Sequence, residues 1–291
     1  ENLDGLEVER ITADINDRDA IGRALDGVCV VYHLAAIYKL WLPDNRLMYE
    51  VNVEGTKTVL FAALAAGVDK VVYTSSIAAV GHPRDGAMAD ETCAFNLWDD
   101  SNHYVRSKWL SERDALRFAR EGLPLVVVNP AFPFGPRDIA PTPTGRFIVD
   151  ALAGQIPGYM GGGFNVVDVD DVAEGHVLAE ERGRVGERYI LGNHNVSYKE
   201  FFDAVTDLGG VKPIKHKLPA PLMWGVGWAM EKVADVSKKP PQLTYKTARY
   251  ASRTLWFDCK KAHDELGMPR TPLRTSIERS IEWFRANGYA R

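Results

Sequence analysis

The sequence predicts an α/β protein built on a doubly wound parallel sheet, and three features carry that expectation. Between residues 7 and 76, apolar β-branched runs alternate with stretches of helical periodicity across short connections, the pattern of successive βαβ units. The run 28–34 is almost wholly apolar, as a buried strand requires. The composition, 46% hydrophobic and 25% charged over 291 residues, is globular and supports a sizeable core with a second, smaller lobe.

Taken in order, residues 8–13 read as a strand, 17–25 as a helix and 28–34 as the buried strand. Helical periodicity returns over 56–66, and Gly67 stands where a left-handed C-cap ends such a helix. The β-branched run 70–74 is the next strand. A long helix over 103–120 and a strand over 125–129 follow, with Gly122 and Pro124 marking the turn between them. Beyond Pro130 the prolines at 133, 136, 141 and 143 break up a loop of the kind that covers a site, ahead of a helix near 147–153.

Met160, Gly161, Gly162 and Gly163 form the main glycine cluster and read as a hairpin or loop, since no strand and helix flank them in the order a phosphate-binding turn needs. Past them, a strand at 189–191 and helices near 199–208, 221–236, 260–266 and 273–287 describe a smaller, mostly helical substrate lobe. The expected division is 1–160 for the sheet domain and 161–291 for the lobe, some of whose segments return to the main sheet. Asp170 and Asp171 are expected to cap a helix.

Thirty-five basic residues against 39 acidic ones give a net charge of −4, which offers no overall field for nucleic acid. Cys29, Cys93 and Cys259 are too few and too scattered for a disulfide framework or a four-ligand zinc site, so the expected compartment is reducing and cytoplasmic, with no metal. No run reaches the roughly 20 apolar residues of a membrane span. The stretch 218–230, with Trp224 and Trp228 near Lys232, Lys238 and Lys239, is expected as a wall over the site in preference to a membrane-surface helix.

The chemistry concentrates on three segments. Of eleven tyrosines, Tyr104 alone has a lysine four residues on, which sets Lys108 one turn away on the same helical face. An ammonium there favours the phenolate, so the expectation is a lowered Tyr104 pKa and a general acid/base. The strand 70–74 runs into Thr74, Ser75 and Ser76, placing hydroxyls at a strand's carboxyl end, where open α/β sheets bind ligands. Asn52, just ahead of the helix 56–66, is placed to fix the Tyr104 helix or hold a water. His33 reads as a satisfied core histidine.

Tyr104-x-x-x-Lys108, the Thr74-Ser75-Ser76 strand end, His33-Leu34-Ala35-Ala36 and Asn52-Val53-x-Gly55-Thr56 resemble the extended short-chain dehydrogenase/reductases of the NAD-dependent epimerase/dehydratase family. Further runs at 38–41, 135–146 and 186–192 look like hopanoid-associated sugar epimerases, with dihydroflavonol 4-reductase-like proteins next. The resemblance implies a Rossmann-type fold in which 1–160 binds NADP or NAD, NADP being favoured by the reductase likeness. It implies Tyr104 as general acid/base, Lys108 on the nicotinamide ribose and Ser76 polarising a substrate oxygen.

By the same resemblance, Asp14 and Ile15 would flank the adenine, Leu34, Ala35 and Ala36 would line the cofactor, and Asn52, Thr74, Val128 and Ala131 would border it. Tyr38, Trp41, Phe132 and Arg137 would meet a small-molecule substrate, with Arg146 a second phosphate partner. The family's glycine-rich turn after the first strand is missing from this sequence, so the expected Rossmann-type sheet lacks its first strand or strands and the dinucleotide-binding domain is incomplete at its N-terminal side. Ile77, Ala78 and Ala79 after Ser76 lack the acidic pair of the dehydratases, and Val80-Gly81 lacks the tyrosine usual in nucleotide-sugar epimerases. The expectation is hydride exchange at a secondary alcohol or ketone by a homodimeric enzyme. A non-catalytic dinucleotide-sensing or partner-binding relative is the alternative.

Overall fold

The computed structural model describes residues 2–83, 86–237, 239–241 and 243–290, so Lys238 lies outside the described residues. The strands are β1 (Val30–His33), β2 (Lys70–Thr74), β3 (Leu125–Pro130), β4 (Phe132–Phe134), β5 (Tyr159–Met160), β6 (Gly163–Asp168), β7 (Arg188–Leu191), β8 (His194–Ser197), β9 (Lys217–Leu218) and β10 (Thr254–Leu255). The helices are α1 (Arg18–Ala24), α2 (Arg46–Tyr49), α3 (Thr56–Ala66), α4 (His103–Arg120), α5 (Gly145–Leu152), α6 (Val169–Arg182), α7 (Tyr198–Gly209), α8 (Ala220–Ser237), α9 (Tyr245–Ala251) and α10 (Leu273–Ala286).

β1, β2, β3 and β7 pair in that order, all parallel, into the main sheet. Period-two alternation sorts its side chains between two layers of helix. Val31, Val71, Tyr73, Leu125 and Val127 join residues of α3 and α4 in one core. Val72, Val126 and Val128 face the other way, into a larger core that includes Leu178 and Ala179 of α6. Helices on both faces make the sheet doubly wound, as expected.

Residues 161–291, expected as mostly helical, hold strands as well as helices. β10, β6 and β4 form a parallel sheet, and β8 pairs antiparallel with β6. β6 is buried at every position, so the run 163–168 lacks the alternation by which a half-buried strand shows itself in a sequence. β7 belongs to the main sheet although it lies within residues 161–291. The glycine cluster is the turn between β5 and β6, where Gly162 at φ 100° packs so close that a Cβ would stand 2.3 Å from the Arg253 carbonyl oxygen.

Two local expectations are corrected. Residues 8–13 are not a strand: no neighbour offers them a ladder among the described residues, and Val8 and Ile11 stay exposed. The N-cap of α6 is Asp168, whose carboxylate accepts from Asp170 N, while Asp171 is buried and accepts from Asn193 Nδ2 and Thr271 Oγ1. Asp17, expected as the first residue of a helix, is the N-cap of α1, and Gly67 ends α3 at φ 65° as expected.

Candidate functional site

Asn102 starts α4 by accepting the Val105 N–H at 3.0 Å, and this cap fixes the helix entry so that Tyr104 sits in the first turn beside the carboxyl end of β2. There the Ser76 hydroxyl oxygen accepts from Ala78 N at 3.2 Å, and its side chain faces the Tyr104 phenol closely enough to oppose the rise that burial gives its pKa. The Tyr104 ring packs on that of Tyr38, centroids 4.9 Å apart. One turn further along α4, Lys108 is 3% exposed, donates from Nζ to the Thr74 carbonyl at 2.8 Å and lies 5.2 Å over the Tyr73 ring. The structure therefore brings Ser76, Tyr104, Lys108, Thr74 and Tyr38 together.

The electrostatics differ from the sequence expectation in one respect. Burial pushes the Tyr104 phenol up to about 12, with the Ser76 side chain opposing it. Desolvation thus outweighs the stabilisation of phenolate that the Tyr–Lys spacing suggests. Burial also brings the Lys108 ammonium down to about 8, against the attraction of Glu112. His33 is buried and lowered to about 3 by desolvation and by Lys108, so the ring is neutral.

Asn52 occupies a π-helical turn, Glu50–Gly55, inserted ahead of α3, the kind of irregularity that recurs at functional sites. Its carboxamide clasps the chain after β1, accepting from Ile37 N at 2.7 Å and donating to Ile37 O at 3.1 Å. Nδ2 also donates to Ser107 Oγ at 3.0 Å, and Ser107 donates to Tyr104 O at 2.8 Å. Asn52 therefore ties the Tyr104 helix to the end of β1. Thr56 donates to Asn52 O at 2.8 Å, so His33 Nε2, 2.9 Å from the same hydroxyl oxygen, carries the ring proton.

The remaining expected residues spread around this centre. Leu34, Ala35 and Ala36 form an exposed shelf at the carboxyl end of β1. Asp14 is exposed and accepts from Asn16 N at 2.8 Å in a tight turn, and Ile15 packs against Gly55. Val128 and Ala131 are buried, their backbones engaged with Ser75 N and Leu191 O, so their side chains serve packing. Phe132 lies 5.1 Å from Phe164, and Trp41 is half-buried in the loop after β1. Arg137 is exposed at φ 70°, an unusual conformation for a non-glycine residue, whereas Arg146 is tied to Asp150.

Sequence reasoning missed several participants. Burial raises the phenols of Tyr198 and Tyr250, and each of Tyr198 and Tyr104 lies close enough to Tyr250 to raise it further. Nothing in the spacing of residues 198 and 250 links them to residue 104. Thr74 Oγ1 donates to His176 Nε2 at 2.8 Å, because His176 Nδ1 is committed as donor to Val172 O. Trp224 packs through Ser252 and Arg249 onto α9, the helix that carries Tyr250, while Trp228 is exposed. Among the described residues no helix is long and apolar enough to cross a membrane, and no His, Cys, Asp and Glu cluster suits a metal ion.

A parallel sheet covered on both faces, with a Tyr–Lys helix set against its strand ends, defines an α/β protein with a ligand site at the carboxyl edge. A model of the NAD dependent epimerase/dehydratase family matches residues 1–192, and the chain belongs to that family. It is an enzyme of the extended short-chain dehydrogenase/reductases with NAD(P) as cofactor. It is 36% identical to a putative dihydroflavonol 4-reductase of Synechocystis sp., over 100% of this chain and 86% of that protein. It is 32% identical to sterol demethylase protein B of Methylococcus capsulatus, over 98% of this chain and 88% of the relative. The crystal structure of gox2253 superposes with a TM-score of 0.88 at 42% identity, over 100% of this chain and 88% of that one.

The residues at the strand ends fit the nicotinamide half of such a cofactor. Among the described residues Lys108 gives one of its three N–H donors to Thr74 O, and the exposed apolar residues Leu34, Ala35 and Ala36 follow the adjacent strand β1.

Proposed function

We propose that the protein is an NAD(P)(H)-dependent reductase acting at a secondary alcohol or ketone carbon. Tyr104 is its general acid/base, Lys108 holds the nicotinamide ribose and Ser76 polarises the substrate oxygen. The observation that carries this reading is the juxtaposition of the Ser76 and Tyr104 side chains at the strand edge, with Lys108 anchored one helical turn behind on Thr74 O. NAD(P)(H) supplies or takes up the hydride when bound. Because Ser76 Oγ already accepts from Ala78 N, its O–H remains free to be given to a substrate oxygen or to the Tyr104 oxygen. Tyr104 then delivers its proton to the carbonyl oxygen, and the adjacent Lys108 ammonium steadies the phenolate left behind.

The surround favours an uncharged aromatic or alicyclic carbonyl compound over a nucleotide sugar. Tyr38, Tyr198, Tyr250 and Phe132 supply apolar walls. The cations beside Tyr250 are committed: Arg249 and Arg253 both pair with Asp100. The names of the curated relatives, a dihydroflavonol 4-reductase and a sterol demethylase protein, support the same class. Phe61 and Leu64, exposed on α3, support pairing of two copies through α3 and α4, and three free cysteines support a cytoplasmic setting.

The test is oxidation of NADPH and NADH against a panel of aromatic and alicyclic ketones, with nucleotide sugars alongside. We expect net oxidation with a ketone, and a fall on the order of 10² to 10⁴ in rate for Tyr104→Phe. Turnover of a nucleotide sugar without net cofactor consumption would overturn the reductase reading. An undiminished Tyr104→Phe rate would overturn the acid/base assignment.

A further inference from the structure

The stripe of α4 that carries Tyr104 and Lys108 continues, at the same four-residue interval, to Glu112. This carboxylate is 3% exposed beneath the site, where an ionised group persists only if paired. It is paired twice. Arg188 Nη1 donates to Oε1 at 2.8 Å, and Asn129 Nδ2 donates to Oε2 at 2.5 Å. The same Nδ2 donates to the Ser76 carbonyl at 2.9 Å. Asn129 Oδ1 has no partner among the described residues, so the two acceptors facing Nδ2 fix the orientation of the amide.

α4 thus grips the end of β2 at both sides of the reacting hydroxyl. Lys108 holds Thr74 O directly, Ser75 N is held by Val128 O at 2.8 Å, and Glu112 reaches Ser76 O through Asn129. Arg188 braces Glu112 from β7 and spends its other donors on Glu91 O at 2.8 Å and Cys93 O at 3.0 Å. We propose that Glu112 is a positioning residue of this site, acting through Asn129 to set the Ser76 hydroxyl against Tyr104. The inference rests on the roles given to Ser76, Tyr104 and Lys108 above.

The charge of Glu112 serves the same arrangement. The groups facing Lys108 are Tyr104 and Glu112 on α4, Tyr73 and Thr74 on β2, and His33 on β1. His33 and the two phenols are neutral near pH 7, leaving Glu112 as the anion that keeps Lys108 protonated against its burial. Glu112→Gln removes that charge but keeps an acceptor for Asn129. Glu112→Asp keeps the charge but shortens the reach to Asn129, and Asn129→Leu deletes the link at similar volume.

The experiment compares these three variants and Tyr104→Phe in the full chain, reading kcat and KM from pH 6 to 10. In parallel, lysine labelled with ¹³C at the ε-carbon reports the Lys108 titration by NMR, assigned through Lys108→Arg. In Glu112→Gln the Lys108 titration and the alkaline limb of the rate profile should both move down by on the order of one pH unit. In Glu112→Asp and Asn129→Leu kcat should fall on the order of tenfold, with the dinucleotide KM and the Lys108 titration unchanged. Wild-type kcat in Asn129→Leu and Glu112→Asp, or an unmoved Lys108 titration in Glu112→Gln, would overturn the proposal. If Tyr104→Phe keeps full activity the underlying reading fails instead, and the NMR titration still decides the part played by Glu112.

Discussion

Replacing Lys108 with methionine separates the cost of holding this ammonium under the site from the service it performs. Burial brings Lys108 from an ordinary value of 10.5 to about 8, a difference of about 2.5 pH units. At about 1.4 kcal/mol per unit, the charged form costs the folded state about 3 kcal/mol. Below pH 8 folded and unfolded chains are both protonated and the whole cost is present. Between pH 8 and 10.5 the unfolded chain holds a proton that the folded one has lost, so this group makes stability rise with pH, and above 10.5 the cost is gone.

Methionine carries no such cost at any pH but leaves Thr74 O without its donor, a loss of about 1–3 kcal/mol. Lys108→Met should therefore match or slightly exceed wild-type stability at pH 7. By pH 10 the comparison should have moved against the variant by about 2–3 kcal/mol. Urea unfolding followed by tryptophan fluorescence at the two pH values measures that difference. A stability gap that stays flat from pH 7 to 10 would refute the reasoning. Turnover should be lost in the variant throughout.

Two further substitutions probe the frame. A Cβ at Gly81 would stand 1.8 Å from the Ala94 carbonyl oxygen, a backbone atom with little room to yield. Gly81→Ala should cost about 3 kcal/mol and lower Tm by about 5–10 °C in a thermal scan. Asn52→Leu strips partners from Ile37 N, Ile37 O and Ser107, and should cost about 2–4 kcal/mol in chemical denaturation, with kcat reduced because α4 loses its tie to β1. Wild-type stability in either variant would contradict the packing described.

What the sequence disclosed of the fold was whatever rests on local rules. The helix 103–120 was legible because Gly122 and Pro124 punctuate the turn after it, and 56–66 because Gly67 supplies the left-handed terminator. The rules failed where a neighbour decides. Residues 8–13 have strand composition without a ladder, whereas β6 is a strand whose partners β4, β8 and β10 come from distant parts of the chain. β4 is a three-residue strand within a loop broken by prolines, where composition argues against pairing.

The candidate site divides along the same line. Tyr104 and Lys108 are one helical turn apart, so a spacing in the sequence is already a distance in space, and Glu112 at the next interval was open to the same argument. The sequence does not carry the balance between burial and charge. The Tyr–Lys spacing argues for a lowered phenol, yet Tyr104 is buried, with the Tyr38 ring packed on it from another segment, and desolvation prevails. A phenol raised by burial stays protonated near pH 7. On the function proposed above, that is the state in which a proton donor to a carbonyl has to wait, which makes the burial of Tyr104 part of the proposed acid/base device.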